Sequence, residues 1–513
     1  MIRFNILEII LEKFSKINKK DIIAYISVAF LSFLSFGQFA IDITYNNDGI
    51  SRFVRNSNSL FQLDAYLYGF TVGRWAYPFF VNLYNGLVHL PFLTAIVSIF
   101  LFVFISDIIW RLFKIESLSQ RIITGGLMCS SPIFIHYFFY SGDSEVYATG
   151  MLLISYGYYL FTSKEKFKNI IGVVSTTIAL GCYPALFGYC MGLMCLYTIY
   201  LFFTNERLKT IFKTLAKLFL LSFISLLLYY CITKIGLNLF DLKMTTYKNA
   251  DTISPINLIS DMPSKFSLTF ALFYYFWTKA NVAIKLYLIV ISSSLVYITI
   301  KKSSKHLPLF IFILAITIPL IYIMFLLTHE NQPYEGFIFG LIPLLALLHV
   351  PLDRNKSVWI KNTILIFPLL LLFVNIKTTN QIIIKYRLNC ESSRILTLNL
   401  ANDIQKHPSF TPSNKIALIG SLRENDNFNH SSYVTDIKTL NGADVPIAFS
   451  GFNHGWYIRN QLELQGLLLQ VTDNNETQKI YSTFKNMCLP EYPKDGSIFS
   501  YNDIVVVNLG YED

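Results

Sequence analysis

The sequence is poor in charged residues. Only 14% of its 513 residues are Asp, Glu, Lys or Arg, whereas 53% are hydrophobic. A soluble globular protein carries about 25% charged residues. This deficit, together with repeated apolar runs of roughly 20 residues, excludes an ordinary soluble domain and predicts a polytopic α-helical membrane protein.

Residue patterns typical of metal sites are also missing. The seven cysteines form no Cys-x-x-Cys pair, and the eight histidines are scattered along the chain. The sequence therefore implies no metal ion. Cys390 and Cys488 lie in the polar C-terminal part of the chain. If that part lies outside the cytoplasm, these two form the one candidate disulfide, with free thiols as the open alternative.

Basic residues do not form a patch suited to nucleic acid. The formal net charge is +10, but the Lys and Arg residues lie in short clusters between apolar runs. That distribution fits membrane orientation and predicts no nucleic-acid partner.

Eleven apolar runs predict about eleven transmembrane helices. They lie at Ile22–Ile41, Leu87–Trp110, Ile122–Tyr140, Val146–Thr162, Ile170–Gly181, Ala185–Phe203, Leu218–Ile235, Val282–Ile300, Leu307–Leu327, Phe337–Val350 and Val358–Ile376. Every second short connector carries at least three Lys or Arg residues, which places the N-terminus in the cytoplasm and the C-terminus outside.

This topology divides the chain at residue 376. Residues 1–376 form the predicted membrane region, with large outer loops at 42–86 and 236–281. Residues 377–513 form a predicted extracytoplasmic α/β domain, because Lys415–Gly420 and Asp503–Asn508 are short apolar, β-branched runs typical of buried strands. Ser392–Lys406 is expected to be helical; Leu462–Thr472 and Gln478–Met487 are weaker helix candidates.

Polar and reactive residues collect on the predicted outer face. Carboxylates at a membrane border are costly to desolvate, so their clustering indicates a polar cavity. The alternative is that each is an ordinary hydrated turn residue. The candidates are Asp48, Arg52 and Arg74 in the first outer loop, Asp143 and Glu145 in a tight turn, Tyr183 at a corner between spans, Lys279 beside a span, and Glu330 and Glu335 in a later turn.

Sugar transfer to a hydroxyl group requires these residue types. A base must take the proton of the acceptor, and cationic groups must stabilise a departing phosphate. Asp48 and Arg52 are four residues apart and would share one face of a helix. The same spacing also suits a structural ion pair.

Four short segments form a recognisable series along the chain: Asp48-Gly49-Ile50-Ser51-Arg52, Gly73-Arg74-Trp75, Ser131-Pro132 before Phe138–Asp143, and Pro490–Ser497 before the Ile504–Val507 run. They resemble motifs of the serotype-converting O-antigen glucosyltransferases of bacterial and phage Gtr systems, a GT-C-type family. That family has a pattern close to Asp-Asp-Ile-x-Arg after its first span and a Gly-Arg later in the same loop. Gly49 replaces the second carboxylate of the family's pair, and the turn at Tyr334–Gly336 lacks an expected arginine. Asp48 is thus left as the catalytic carboxylate to consider.

The resemblance implies a GT-C-like fold and a place in surface-polysaccharide assembly in the bacterial inner membrane. A separate cytoplasmic enzyme would make undecaprenyl-phosphate glucose, and a flippase would turn it over. This protein would then transfer the glucosyl group to O-antigen or another surface glycan outside, with Asp48 as general base. Arg52, Arg74 and Lys279 would be the candidates for binding the donor phosphate.

Two other functions remain open at this point. A transporter or flippase is disfavoured because the chain shows no two similar halves and few charges within its apolar runs. The sequence leaves a non-catalytic partner in surface-polysaccharide assembly as the third reading.

Overall fold

The computed structural model describes residues 18–40, 63–85, 91–139, 143–204, 207–245, 255–302, 307–326, 339–354, 358–420 and 470–510. Its helices in the first part of the chain are α1 Lys19–Phe36, α2 Leu63–Thr71, α3 Tyr77–Asn85, α4 Pro91–Leu112, α5 Leu118–Cys129, α6 Pro132–Ile135, α7 Asp143–Phe161, α8 Lys166–Cys182 and α9 Phe187–Phe203. Those that follow are α10 Leu208–Leu239, α11 Pro255–Lys279, α12 Val282–Lys302, α13 Leu307–Ile321, α14 Ile323–Leu326, α15 Leu341–Leu347 and α16 Val358–Lys406.

Six stretches of the described chain are long and apolar enough to cross a membrane. They are Lys19–Ala40, Phe92–Leu112, Pro184–Phe203, Leu208–Leu239, Val282–Lys301 and Leu365–Ile384. Each overlaps a predicted apolar run, so the membrane class is supported. The other five runs also contain helices, but Leu307–Ile321 and Leu341–Leu352 are short, and the count of eleven spans stays a prediction.

Burial separates the central helix from the lipid-facing ones. Within Pro184–Phe203, which contains α9, 89% of the apolar window is buried, against 22% for α10. Helix α10 instead exposes Phe219, Phe223 and Leu227, as expected for side chains that contact lipid. The bundle therefore packs around α9, and α10 lies at its edge.

Small residues allow α7 and α8 to lie close together. A Cβ atom on Gly157 of α7 would lie 2.9 Å from the carbonyl oxygen of Gly172 in α8. Close backbone approach at small residues is the usual way that membrane helices gain packing contacts. This contact lies near the end of α7 and the start of α8, and the antiparallel packing that follows brings the start of α7 beside the end of α8.

Helix α16 runs without a break through the predicted domain boundary at residue 376. It contains 49 residues, which corresponds to a length of about 74 Å. Only Leu365–Ile384 is apolar enough to be a span, so the helix extends well beyond it and includes the predicted Ser392–Lys406 helix.

A three-stranded sheet packs near the end of α16. Its strands are β1 Lys415–Ile419, β2 Ile498–Tyr501 and β3 Ile504–Asn508, in the order β1-β3-β2. Strand β3 pairs in parallel with β1, where Lys415 faces Ile504, and antiparallel with β2, where Ile498 faces Val507. Both predicted strands are thus confirmed, and β2 was not predicted.

The weaker helix candidate at Gln478–Met487 is confirmed as part of α17, Asn474–Phe484. It begins at Asp473, whose side chain accepts a hydrogen bond from the backbone N–H of Glu476, as in an N-terminal capping motif. The Tyr492 hydroxyl donates to Asp403 of α16 at 2.8 Å, which joins the sheet region to the helix. The candidate at Leu462–Thr472 falls mostly outside the described residues.

Candidate functional site

The turn between α2 and α3 presents Arg74 to the helix bundle. Gly73 has φ +69°, a backbone conformation that glycine adopts without a steric penalty. Its carbonyl oxygen accepts a hydrogen bond from the Tyr229 hydroxyl of α10 at 2.9 Å. The backbone N–H of Ala76 donates to the carbonyl oxygen of Gly181 at 3.0 Å. The turn is therefore fixed between α10 and the end of α8.

Two tyrosines hold the Arg74 guanidinium group. Its central carbon lies 4.7 Å from the centre of the Tyr183 ring, within the range of a cation–π contact. Its Nη1 atom lies 3.5 Å from the Tyr147 hydroxyl. The two rings are stacked with their centres 4.4 Å apart, so they form one support for the guanidinium group.

Asp143 organises the same cluster from the first turn of α7. Its carboxylate accepts hydrogen bonds from the hydroxyl of Tyr77 and, at 3.1 Å, from that of Tyr147. The residue is only 3% exposed. A carboxylate in the first turn of a helix is also stabilised by the helix dipole. Because Tyr147 contacts both Asp143 and Arg74, it links the acidic and basic members of the cluster.

Glu145 lies two residues after Asp143 in the first turn of α7 and is fully buried. Its carboxylate accepts from the Ser144 hydroxyl at 3.0 Å and from the Thr94 hydroxyl of α4 at 3.3 Å. Its backbone carbonyl accepts from Thr149 at 2.7 Å. Hydroxyl donors thus compensate part of the cost of burying this carboxylate.

An aromatic wall closes one side of the cluster. Tyr137 stacks on Phe339 with ring centres 4.9 Å apart and meets the Tyr147 ring edge-on at 4.8 Å. Tyr137 and Phe339 are both buried. The wall covers one side of the Tyr147 and Tyr183 rings, and a low-dielectric surrounding of this kind strengthens electrostatic interactions.

The structure thus brings together several residues that the sequence analysis selected. Arg74, Asp143 and Tyr183 belong to one contact network, and Glu145 lies in the same helical turn as Asp143. Lys279 is the last residue of α11, and its side chain is outside the described part of the structure. Asp48, Arg52, Glu330 and Glu335 also lie outside the described residues, so their roles stay predictions.

The described residues do not test the candidate disulfide between Cys390 and Cys488. Cys488 is a free, exposed cysteine. The side chain of Cys390 lies outside the described part, so a pairing between the two stays a prediction.

Sequence reasoning missed the residues that connect the network. Tyr77, Thr94 and Tyr147 were not selected as site residues. The spacing carries one usable signal: Tyr147 lies four residues after Asp143, on the same face of α7. The contact of Thr94 with Glu145 joins positions 51 residues apart and has no local signal.

Comparison with known proteins assigns most of the membrane region to a protein family. A family model described as Glucosyl transferase GtrII matches residues 37–348, which is more than half of the chain. The matched region includes Arg74, Asp143, Glu145 and Tyr183 and ends before α16. No curated protein and no solved structure matches the chain.

Proposed function

The chain belongs to the GtrII glucosyl transferase family, and from this premise we propose that it uses a lipid-linked donor. It transfers a glucosyl group from undecaprenyl-phosphate glucose to a surface polysaccharide such as O-antigen, at the outer face of the bacterial inner membrane. The observation that carries the proposal is the network that the half-buried Arg74 forms with the buried Tyr147 and Asp143. It lies where several apolar helices begin or end, which is the depth at which a lipid phosphate would lie.

Arg74 is suited to binding the donor phosphate because its guanidinium group is charged and because two tyrosines hold that group in place. A guanidinium group is always charged and can donate two parallel hydrogen bonds to phosphate oxygens. Tyr183 and Tyr147 restrain it before a ligand arrives. Less conformational freedom is then lost on binding, and the positive charge is in place when the phosphate leaves. Arg52 and Lys279 remain further candidates for the same role.

The proposed reaction is an inverting displacement. Asp48 accepts the proton of the acceptor hydroxyl, whose oxygen attacks the anomeric carbon of the donor glucose. The bond between that carbon and the phosphate oxygen breaks, and undecaprenyl phosphate leaves with the bonding electron pair. Arg74 stabilises the negative charge on the departing phosphate, while Asp143 positions Arg74 through Tyr147.

The remaining predicted residues receive roles around this step. Tyr183 holds the guanidinium group of Arg74 through the cation–π contact. Glu145 stabilises the start of α7 through its hydrogen bonds with Ser144 and Thr94. Glu330 and Glu335 are proposed to bind hydroxyl groups of a sugar. The partners are the glycan acceptor, the upstream sugar-lipid synthase and the flippase.

The donor class is tested with purified protein in liposomes and a glycan acceptor. We expect undecaprenyl-phosphate glucose to support transfer and UDP-glucose to give none, since the proposed site recognises a lipid phosphate at the membrane border. The measurement is radiolabelled glucose incorporated into the glycan. Undecaprenyl-phosphate mannose is the matched control for the sugar. Equal transfer from UDP-glucose would contradict the proposal.

The orientation of the C-terminal region is tested through Cys488. This thiol is exposed, whereas Cys129, Cys182, Cys190 and Cys195 are buried. We expect a membrane-impermeant maleimide to label Cys488 from outside in intact spheroplasts, because the proposal places residues 377–513 on that face. The measurement is mass spectrometry of the labelled peptide.

Two variants control this labelling experiment. Cys488→Ser should remove the signal from its peptide, and Cys390→Ser removes the candidate disulfide partner of Cys488 while the other five cysteines stay. Labelling of Cys390→Ser without labelling of the unaltered protein would show that the two cysteines are paired. Labelling only after the membrane is opened would place the region in the cytoplasm and contradict the proposal.

A further inference from the structure

A second polar cavity lies at the other end of α4 from the Arg74 network. Thr94, near the start of α4, contacts Glu145, whereas the cavity lies beside Arg111 near the end of the same helix. The helical rise between these two residues is about 25 Å, close to the hydrocarbon thickness of a bilayer. The cavity therefore belongs to the opposite membrane border and is independent of the proposed transfer site.

The cavity is small and lined by charge. Its volume is about 210 Å³, below the roughly 300–1,000 Å³ of pockets that hold drug-sized ligands. It lies where α1 begins, α4 ends and α5 begins. Its lining residues are Asp21, Asp107, Trp110, Arg111, Lys114, Ile115, Glu116 and Arg121.

Two ion pairs form the frame of this cavity. Arg121 pairs with Asp21, and Arg111 pairs with Asp107 at 2.8 Å. Asp107 also accepts a hydrogen bond from the Tyr25 hydroxyl at 2.7 Å, and Arg121 Nε donates to the Ile115 carbonyl at 2.7 Å. These four charges are therefore engaged within the protein and tie α1, α4 and α5 together.

Two charged groups on the cavity lining remain without a side-chain partner in the described part of the chain. Lys114 and Glu116 are exposed and carry opposite charges. An unpaired cation and an unpaired carboxylate together complement a ligand that has both an anionic and a cationic group.

We propose that this cavity binds the headgroup of a zwitterionic phospholipid that carries a phosphate and a primary ammonium group, as phosphatidylethanolamine does. The phosphate accepts hydrogen bonds from Lys114, and the ammonium group pairs with Glu116. Balanced charge in the lining, three basic and three acidic side chains, favours this ligand over a purely anionic one. The site's position at the membrane border leaves the acyl chains in the bilayer.

The experiment uses the full-length protein in nanodiscs and native mass spectrometry to measure retained lipid. Phosphatidylethanolamine, phosphatidylglycerol and phosphatidylcholine are compared as probes, since they share a phosphate but differ in the ammonium group. We expect preferential retention of phosphatidylethanolamine. Lys114→Gln and Glu116→Gln should each weaken it roughly tenfold, the range for loss of one charged hydrogen bond.

Lys164→Gln is the matched control, because Lys164 is an exposed lysine in the connector between α7 and α8, away from the cavity. It should leave lipid retention unchanged. Equal retention of phosphatidylglycerol, unchanged retention in Lys114→Gln and Glu116→Gln, or no retained lipid would each overturn the proposal.

Discussion

Asp48→Asn is expected to lower glucosyl transfer by a factor of about 10²–10⁴, the usual contribution of a positioned general base. Asparagine keeps the size of the side chain but cannot accept the proton of the acceptor hydroxyl. The change should act on kcat, with little effect on binding of the lipid donor. The measurement is initial transfer rate in liposomes, normalised to the amount of inserted protein.

Two further variants separate catalysis from folding in this experiment. Asp42→Asn changes another carboxylate of the same loop, and we expect it to retain most of the activity. Asp48→Glu keeps a base at a slightly different distance, so partial activity is expected. Wild-type transfer by Asp48→Asn would remove Asp48 from the mechanism, as would a loss of the same size in Asp42→Asn.

Gly49 makes this test especially informative. The resemblance places a second carboxylate at this position in related proteins, but glycine has no side chain to share the proton. The buried Asp143 carboxylate is engaged by the hydroxyls of Tyr77 and Tyr147. It is therefore better suited to position its neighbours than to move a proton, and Asp48 is left as the proposed base.

Much of the fold could be predicted because hydrophobicity and β-propensity act locally. Apolar runs mark α1, α4, α9, α10 and α12, and β-branched runs mark β1 and β3. Strand β2 was missed because Ile498–Tyr501 is short and contains Ser500, so its extended structure depends on pairing with β3. The continuity of α16 was missed too, because residues 377–391 give no hydropathy signal although they join the apolar span to the predicted Ser392–Lys406 helix.

Breaks within apolar runs were also harder to predict than the runs themselves. The run Ile122–Tyr140 is divided, because α5 ends at Cys129 and α6 begins at Pro132. A proline disfavours helical backbone in the residue before it, so this break had a local signal. The apolar composition on both sides nevertheless suggested one continuous span.

The charged residues of the candidate site could be predicted from the sequence, but the contacts that connect them could not. Arg74, Asp143 and Glu145 stand out in an apolar sequence because each charge near a membrane must be compensated. The stacking of Tyr147 on Tyr183 and the contact of Tyr229 with Gly73 depend on how α7, α8 and α10 pack. Such contacts join distant parts of the chain, and no sequence spacing encodes them.

Arg74→Ala is expected to lower kcat/KM for the lipid donor by about 10²–10³, the range for losing one preorganised group that stabilises a leaving charge. Arg74→Lys keeps the charge but loses the planar donor pair and the flat contact with Tyr183, so an intermediate loss is expected. The acceptor KM should stay unchanged in both variants. The measurement is transfer rate as a function of undecaprenyl-phosphate glucose concentration at fixed acceptor.

The controls for Arg74 use residues that share one of its features. Arg394 is an exposed arginine on α16 that pairs with Glu391, and Arg394→Ala should leave transfer unchanged. Tyr183→Phe keeps the aromatic ring 4.7 Å from the guanidinium carbon and should retain most of the activity, whereas Tyr183→Leu should lose part of it.

If Arg74→Ala kept the wild-type kcat/KM for the donor, or raised only the acceptor KM, Arg74 would not bind the departing phosphate. The network would then serve to hold α3, α7 and α8 together, and Arg52 and Lys279 would be the remaining candidates for that charge.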